Sequence, residues 1–432
     1  MSDTPLPHEP SLADVRVMLG QIQAAERGLE PDHVISLCET AIGQLDLVSP
    51  GPARDTLQDA IFLALVHAHQ RLKHFSAATE TIATWQARTN SVESVIDAQN
   101  SLSLLLTHQG AFDDAQRVVE AAARSAQTAA YLPGLCQANR MQANLYWVRG
   151  QFEQAYLLAQ QALTIAEQLD DRALEARARS SLGIVEQARG HYYPALLYSA
   201  RAAELFAELE DPYRQANELS NLGEHYQALF DMESALQYHE QARKLIGPEI
   251  VNYDLDRNLA VDLIGVGRIK EGLELLKPLV EETREGGERD VYFQVLNSLG
   301  EAYVQLGNPA DARVIAETLL AEAERSESGR HKVRAQFVLG LSAHAAGDTA
   351  QAHEYLYDAF MYAQENAELG IMWRTRAALA AILHKQQPVM ARIHQRIARE
   401  TVQSIASSIQ DQRLRAVFEQ APPVRALLTE KL

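Results

Sequence analysis

The sequence has almost no cysteine, since only Cys38 and Cys136 occur among its 432 residues. Two cysteines about a hundred positions apart form neither a disulfide framework nor a metal-ligand motif. No stretch approaches the roughly 18 apolar residues that a membrane span requires, and the opening MSDTPLPHEP has no apolar core of a secretion signal. We therefore expect a cytoplasmic protein with reduced cysteines and no membrane contact.

Basic residues are also scarce, because 39 Lys and Arg stand against 57 Asp and Glu, for a formal net charge of −18. A surface with this balance repels phosphate backbones, so we expect no direct binding of nucleic acid. The exception is the stretch 387–432, where seven basic residues outnumber four acidic ones. A solvated helix surface and a contact with an acidic partner would both account for that excess.

The common sequence motifs of catalysis are missing as well. The chain has no HExxH, CxxC or GxSxG motif and no glycine-rich phosphate loop. The segment HAHQRLKH brings His67, His69 and His74 close in sequence, but residues two apart on a helix point in different directions. We interpret them as ordinary histidines, and we predict a non-enzymatic protein without a cofactor or metal ion.

What the sequence does contain is an internal repeat. The phrase SSLGIVEQARGHYYPAL at 180–196 returns forty residues later as SNLGEHYQALFDMESAL at 220–236. A small residue marks each copy, and successive copies are separated by 40, 40, 40, 37, 40 and 40 residues. These small residues are Ser103, Ala143, Gly183, Gly223, Ala260, Gly300 and Gly340.

Each feature of the repeat has a physical role. Small residues allow two helices to approach closely, and a glycine seven residues later can adopt positive φ and end the first helix. Such glycines occur at 110, 150, 190, 267, 307 and 347. A single helical hairpin cannot bury its apolar faces alone, so consecutive hairpins must stack into an array. The pattern therefore predicts an all-α protein.

The order of small residue, tyrosine, glycine, aromatic residue and alanine resembles the tetratricopeptide repeat over about residues 58–365. The period is nearer 40 than the usual 34 residues, and three extra residues in each helix, about one turn, account for the difference. The resemblance implies a right-handed superhelical α-solenoid of antiparallel helix pairs. Lengthened repeats of this kind are similar to the sensor arrays of bacterial transcriptional activators and of peptide-sensing regulators.

The segments around the array have their own expected structures. We expect residues 1–10 to be disordered, 11–57 to form an atypical helical pair, 58–365 to form the array, and 366–432 to form a helical pair with capping helices. Asp411 is expected to be the N-cap of a short helix that Pro422 and Pro423 end. Apolar surface that is exposed at the ends of the array would allow the protein to form a homodimer.

The resemblance also implies that the first helix of every pair lines a concave groove, where polar residues are free to bind. An asparagine amide can pair with any peptide backbone, an arginine can form two hydrogen bonds with a carboxylate, and a tryptophan can anchor an apolar group. The predicted ligand contacts are Asn100, Arg140, Asn144, Trp147, Arg177, Asn217, Asn221, Arg257, Asn258 and Asn297.

Two functions agree with this interpretation. The first is a protein–protein interaction scaffold or regulatory adaptor that binds a peptide or protein segment in the groove. The alternative is a sensor of a small effector or signalling peptide, which controls a partner regulator by changing the shape of the superhelix. A solvated groove is polar in any case, so polarity alone does not separate the two.

Overall fold

The computed structural model describes residues 10–286, 288–326, 328–365 and 369–429. Within these ranges the chain forms 22 α-helices and no β-strand, so the all-α prediction is confirmed. The expected disorder of residues 1–10 falls almost entirely outside the described residues. None of the described helices is both long and apolar enough to cross a membrane.

The helices follow one another as pairs joined by short turns. In chain order they are α1 (Leu12–Arg27), α2 (Pro31–Leu45), α3 (Pro52–Arg71), α4 (Phe75–Arg88), α5 (Val92–His108), α6 (Phe112–Thr128), α7 (Leu132–Val148), α8 (Phe152–Gln168), α9 (Arg172–Ala188), α10 (Tyr192–Glu208), α11 (Pro212–Ala228), α12 (Met232–Ile246), α13 (Tyr253–Gly265), α14 (Ile269–Glu285), α15 (Arg289–Gln305), α16 (Pro309–Arg325), α17 (Gly329–Ala345), α18 (Thr349–Glu365), α19 (Leu369–Leu383), α20 (Pro388–Ser408), α21 (Gln412–Gln420) and α22 (Pro422–Thr429). We call the odd-numbered helices from α3 to α19 the A helices and their successors the B helices.

Contacts within the chain divide it into two compact units. Unit 1 comprises the residues up to Ser181 together with Glu204–Arg214, and unit 2 comprises Leu182–Ala203 together with the residues from Gln215 onward. Helices α9, α10 and α11 therefore contribute residues to both units. Each unit is described by itself below.

The turns between A and B helices have the predicted backbone conformation. All six glycines that were expected to end A helices have positive φ, between 70° at Gly307 and 87° at Gly267. Where the sequence lacks this glycine, Lys73 and Phe230 adopt left-handed conformations with φ of 58° and 62°. The prediction for the six glycines is therefore confirmed, whereas Lys73 and Phe230, which it did not include, bear the strain of a left-handed backbone.

The small residues of the repeat lie where helices approach closely. A methyl group on Gly183 would lie 2.5 Å from Ser199 Oγ, and one on Gly340 would lie 2.5 Å from Leu356 Cγ. Ser103 has no exposed surface and donates a hydrogen bond to the carbonyl of Ala115 at 3.1 Å. These positions are small because a B helix occupies the space that a larger side chain would need.

The C-terminal helices complete the core of unit 2. Apolar side chains of α20, α21 and α22, such as Val402, Phe418 and Val424, form one cluster with Tyr192 and Leu222 from the start of the unit. Asp411 accepts a hydrogen bond from the backbone of residue 414 and is the N-cap of α21, as predicted. Pro422 begins the following helix, α22. The C-terminal segment of unit 2 therefore packs against helices from the start of the same unit.

In unit 1 the first three helices share a core around Ile22, Val34 and Ile61, which have no exposed surface. These helices also contact the part of unit 1 that returns at 204–214. The guanidinium of Arg71 lies 4.7 Å from the ring centroid of Tyr213. Unit 1 therefore includes a cation–π contact between residues far apart in sequence.

Candidate ligand-binding site

All ten predicted ligand contacts lie on A helices, as the repeat spacing requires. Five belong to unit 1 and five to unit 2, so the two sets are described separately. The structure gives their surroundings, while their role in binding a ligand remains a prediction.

In unit 1, three of the predicted residues share one face of α7. Arg140, Asn144 and Trp147 are spaced by four and three residues, which places them one above the other on a helix. All three are partly exposed. The face therefore offers a cation, an amide and an aromatic ring to a ligand within about two helical turns.

The neighbouring A helix, α9, contributes Arg177 to the same region. Its guanidinium donates a hydrogen bond to Gln137 Oε1 at 3.4 Å, and Gln137 lies one turn before Arg140 on α7. Because residues three apart on a helix have neighbouring side chains, Arg177 is joined through Gln137 to the surroundings of Arg140. The two arginines thus extend the α7 face across the boundary between adjacent repeats.

These two arginines differ from most others in the protein in having no acidic partner. Among the residues that the structure describes, no carboxylate forms an ion pair with Arg140 or Arg177, and the Nε atom of each is buried without a hydrogen-bond acceptor. Burial lowers the pKa of Arg140 to about 10, with a further contribution from Arg214. Burial, together with Arg214 and Arg140, lowers the pKa of Arg177 to about 9.

Helix α3 adds two basic residues that were not among the predicted contacts: Arg71, and His67, which the sequence had indicated to be an ordinary histidine. His67 and Arg71 are four residues apart on α3 and share a face. Burial lowers the pKa of both side chains, and the charge of Arg214 on α11 lowers both further. Burial and the charges of Arg214, Arg177, Arg71 and Arg140 hold the pKa of His67 well below its ordinary value. We call His67, Arg71, Arg140 and Arg177 the basic cluster.

Asn100, the remaining predicted contact in unit 1, is almost completely enclosed. Only 5% of its surface is exposed, and its amide donates a hydrogen bond to the carbonyl of Gly134 at 3.1 Å. Its main contact is therefore with the first turn of α7. The same repeat phase that leaves Arg140 partly exposed places Asn100 between two A helices.

The predicted residues of unit 2 mostly face carboxylates of the same unit. Asn258 has no exposed surface and donates a hydrogen bond to Glu224 at 2.9 Å, and Arg257 lies 3.9 Å from the same carboxylate. Burial raises the pKa of Glu224, but Arg257 and Asn258 outweigh it and leave the pKa below its ordinary value. Glu224 therefore holds both of these candidates in internal contacts.

A second carboxylate, Glu301 on α15, has the same role two repeats after Glu224 on α11. Asn297 is 8% exposed and lies 3.5 Å from Glu301, which also accepts a hydrogen bond from Arg374 at 2.9 Å. Burial raises the pKa of Glu301, yet Arg374 leaves it below its ordinary value. The polar groups of α11 and α13 thus neutralise one another, and so do those of α15 and α19.

The two predicted contacts on α11 have different surroundings. Asn221 donates a hydrogen bond to Glu218 at 3.3 Å on its own helix, whereas Asn217 is exposed. Among the five candidates of unit 2, Asn217 therefore has the most accessible side chain.

Unit 2 also contains an apolar cavity of about 420 Å³. Aromatic walls come from Phe230, Phe337 and Trp373, and further walls come from Leu356 and from alanines of α19. Arg374 stands at the cavity with its guanidinium 4.8 Å from the ring centroid of Phe337, and its charge is compensated by Glu301. The cavity can therefore accommodate an uncharged apolar group of small-molecule size.

Known proteins share the fold of this chain but little of its sequence. No protein-family model matches the sequence, and no curated protein matches it. The apo form of the quorum sensor NprR from B. thuringiensis is 14% identical, with a TM-score of 0.51, over 81% of this chain and 99% of that one. The Rap conjugation gene regulator of the plasmid pLS20, in complex with the Phr* peptide, is 11% identical, with a TM-score of 0.51, over 94% of this chain and 100% of that one.

These likenesses define the class of protein by its fold. The chain is an all-α array of tetratricopeptide-like helix pairs, which confirms the resemblance drawn from the repeat. At such low identity the function of the relatives does not transfer with the fold.

Proposed function

We propose that this protein is a non-enzymatic regulatory adaptor that binds a peptide or protein segment on the A-helix surface of unit 1. Arg140, Asn144 and Trp147 form the centre of this surface, and Arg177 extends it onto the next repeat. A rigid surface with a few directed polar groups and one aromatic anchor binds extended segments at little cost in reorganisation.

The observation that carries the proposal is the difference between the two units. In unit 2, Arg257, Asn258 and Asn297 are already in contact with Glu224 or Glu301. In unit 1, Arg140 and Arg177 have no such carboxylate among the described residues. Charged groups that are partly removed from water normally acquire a counter-charge, and a ligand can supply it.

Two further findings support the proposal. The pLS20 regulator of the same fold was obtained in complex with a peptide, and NprR is a quorum sensor.

Cys38 and Cys136 are both free and buried, and burial raises the pKa of their thiols to about 12 and about 11. Unreactive, reduced thiols of this kind agree with a cytoplasmic location.

The proposal can be tested by selecting binders from a library of randomised dodecapeptides with the full-length protein. The double variant Arg140→Ala/Asn144→Ala should keep its helical circular dichroism and its melting temperature and lose at least tenfold in affinity for the selected peptides. A matched control is Arg313→Ala in unit 2, which removes an exposed arginine that pairs with Glu317 on α16. Peptides that bind wild type and double variant equally would refute the proposed site.

A small-effector sensor is the second candidate, because of the apolar cavity in unit 2. An uncharged ligand bound there should raise the melting temperature through ligand linkage and change the fluorescence of Trp373. The variant Ala377→Leu should partly fill the cavity and abolish both responses while the peptide response of unit 1 is kept. A compound library that stabilises wild type and Ala377→Leu to the same extent would exclude this role for the cavity.

A further inference from the structure

Large apolar side chains are exposed on two B helices of unit 2, α18 and α20. Tyr357 on α18 is 45% exposed, and Val389 and Met390 on α20 are 60% and 43% exposed. Ile393 adds a further exposed apolar side chain to α20. We call these four residues the α18–α20 surface. Exposed apolar side chains are normally scattered singly, whereas a group of them marks an interaction site.

Ring contacts join the two helices at this surface. His353, Tyr357 and Phe360 follow one another along α18, with ring centroids 5.9 Å and then 6.2 Å apart. The ring of Phe360 packs against the edge of His394 on α20, with 5.4 Å between the centroids. Met390 lies four residues before His394 and shares its face of the helix. The exposed apolar side chains of α18 and α20 therefore form one continuous surface.

The repeat register shows that this surface replaces a polar one. The buried alanines Ala312, Ala352 and Ala391 are equivalent positions of α16, α18 and α20. Counted from these alanines, four residues have polar counterparts one repeat earlier: Arg313 for His353, Glu317 for Tyr357, Gln351 for Met390 and Glu354 for Ile393. Between α16 and α18, Arg313 pairs with Glu317 at 2.8 Å and donates a hydrogen bond to Gln351 at 3.4 Å. Such polar contacts suit a surface that faces water, and the apolar replacements suit one that a partner covers.

Arginines border the α18–α20 surface. The guanidinium of Arg376 on α19 lies 4.4 Å from the ring centroid of Phe360, and its Nε atom is buried without a hydrogen-bond acceptor. Arg392 on α20 is exposed and lies three residues after Val389, so the two side chains are neighbours. Among the residues that the structure describes, no carboxylate forms an ion pair with Arg376 or Arg392. The border of the surface therefore has positive charge to offer.

The equivalent of Arg376 in unit 1 does have a counter-charge. Arg179 and Arg376 are each the eighth residue of an A helix, and Arg179 pairs with Glu167 at the end of the preceding B helix at 3.1 Å. At the position of Glu167, Arg376 meets the uncharged Gln364, to which it donates a hydrogen bond at 3.4 Å. The repeat thus keeps the arginine at the α18–α20 surface and omits its carboxylate.

The acidic residues of α18 closest in sequence turn away from this surface. Gln351 contacts Arg313 of α16, and Glu354 and Asp358 follow Gln351 by three and seven residues on the same side of the helix. Asp358 also accepts a hydrogen bond from Gln336 of α17 at 3.4 Å. These carboxylates therefore lie on the α16 side of α18, and the positive charge on the α20 side is left for a partner.

We propose that the α18–α20 surface is a docking site for an acidic amphipathic helix of a partner protein. The apolar side of that helix packs on Tyr357, Met390 and Ile393, and acidic residues beside it pair with Arg376 and Arg392. A helix fits because its apolar side chains recur every three or four residues and can lie along two helices of this chain. Charge complementarity favours acidic over basic partners. This site is separate from the A-helix surface of unit 1 and goes beyond the function proposed for it.

A phage-displayed library of amphipathic helical peptides tests the site with the full-length protein. Each peptide has leucine at positions i, i+3, i+4 and i+7, and a random choice of Asp, Glu, Lys, Arg, Ser or Gln at the positions beside them. Selection should enrich Asp and Glu over Lys and Arg. The selected peptides should bind the double variant Tyr357→Ala/Met390→Ala at least tenfold more weakly than wild type. The melting temperature of this variant should be unchanged, because both side chains are largely exposed.

Matched variants separate this surface from the rest of the chain. Val314→Ala removes a side chain that is 60% exposed on α16 and should leave the affinity unchanged. Arg376→Gln and Arg392→Gln should each weaken the binding of the acidic peptides by about three- to tenfold, since each removes one charge from the border of the surface. Arg313→Gln is the control for these two variants and should have no effect.

Two outcomes would overturn the inference. Selected peptides without an excess of acidic residues would show that the arginines do not choose the partner. Peptides that bind Tyr357→Ala/Met390→Ala as tightly as wild type would show that the apolar side chains do not form the site. Binding of the same peptides to Arg140→Ala/Asn144→Ala should equal that of wild type, so the outcome does not depend on the function proposed for unit 1.

Two further measurements check whether something else covers the surface. In sedimentation equilibrium, wild type and Tyr357→Ala/Met390→Ala should have the same oligomeric state. A wild-type dimer that dissociates in the variant would assign the surface to a second copy of the chain and overturn the inference. In co-sedimentation with vesicles of phosphatidylglycerol, the two proteins should behave alike, and binding that only wild type shows would assign the surface to a lipid membrane instead of a partner helix.

Discussion

The imidazole of His239 and the carboxylate of Asp262 lie 2.5 Å apart in unit 2, and neither side chain has any exposed surface. The other ring nitrogen of His239 donates to the carbonyl of Ser220 at 3.1 Å, and Gln227 donates to Asp262 at 2.6 Å. Gly223 makes room for this network, because a methyl group there would overlap the imidazole. A buried polar network therefore joins α11, α12 and α13.

Removing one member of this network should be strongly destabilising. We expect Asp262→Ala to lower the free energy of unfolding by about 3–5 kcal/mol, since it leaves His239 and Gln227 buried without their acceptor. Asp262→Asn should cost clearly less, because an amide oxygen can still accept from Gln227. Urea denaturation at pH 7 measures both, and equal losses for the two variants would show that the carboxylate charge, and not hydrogen bonding, is what the fold requires.

Substitutions at two turn positions, Gly110 and Ala130, should change the stability of the protein in opposite directions. Gly110 has φ of 76° with open space around it, and Ala130 has φ of 52° on the surface. Gly110→Ala should therefore lower the free energy of unfolding by about 1 kcal/mol, and Ala130→Gly should raise it by about the same amount. This value is the cost of a left-handed backbone for alanine minus the extra conformational entropy that glycine has in the unfolded chain. Thermal unfolding of both variants checks this, and changes of the same sign would contradict the assigned turn conformations.

The sequence predicted the repeat because its signals are local. A small residue at Gly183 and positive φ at Gly110 follow from close approach and backbone sterics, which short-range spacing reveals. Phe230 could not be predicted in the same way. It occupies the turn position of the missing glycine with φ of 62°. Its ring packs 6.4 Å from that of Trp373 and 6.2 Å from that of Phe418, and these partners lie far away in sequence.

The candidate site was predictable only in part for the same reason. Repeat phase placed Arg140 and Arg177 on A helices, but it could not reveal that Glu224 occupies Arg257 and Asn258 in unit 2. Nor did it indicate that His67 joins the arginines of unit 1, because α3 matches the repeat poorly. Which polar side chains remain available depends on tertiary partners from neighbouring helices, such as Glu224 for Arg257 and Asn258, and the spacing of the repeat does not show which groups will pair.

Acid should destabilise unit 2 through His225, which has no exposed surface and lies 3.1 Å from Ser199 Oγ. Burial lowers its pKa to about 4, although Glu224 acts in the opposite direction. Between pH 6.5 and 4 the unfolded chain binds a proton that the folded protein does not, so stability is present above this range and is lost as the pH falls.

The expected contribution of His225 is about 2 kcal/mol between pH 7 and pH 5. Urea denaturation of wild type and His225→Gln at both pH values isolates this contribution from those of the other histidines. Only the difference between the two proteins in the stability that they lose from pH 7 to pH 5 is used. A variant that loses as much stability on acidification as wild type would show that His225 is protonated in the folded protein.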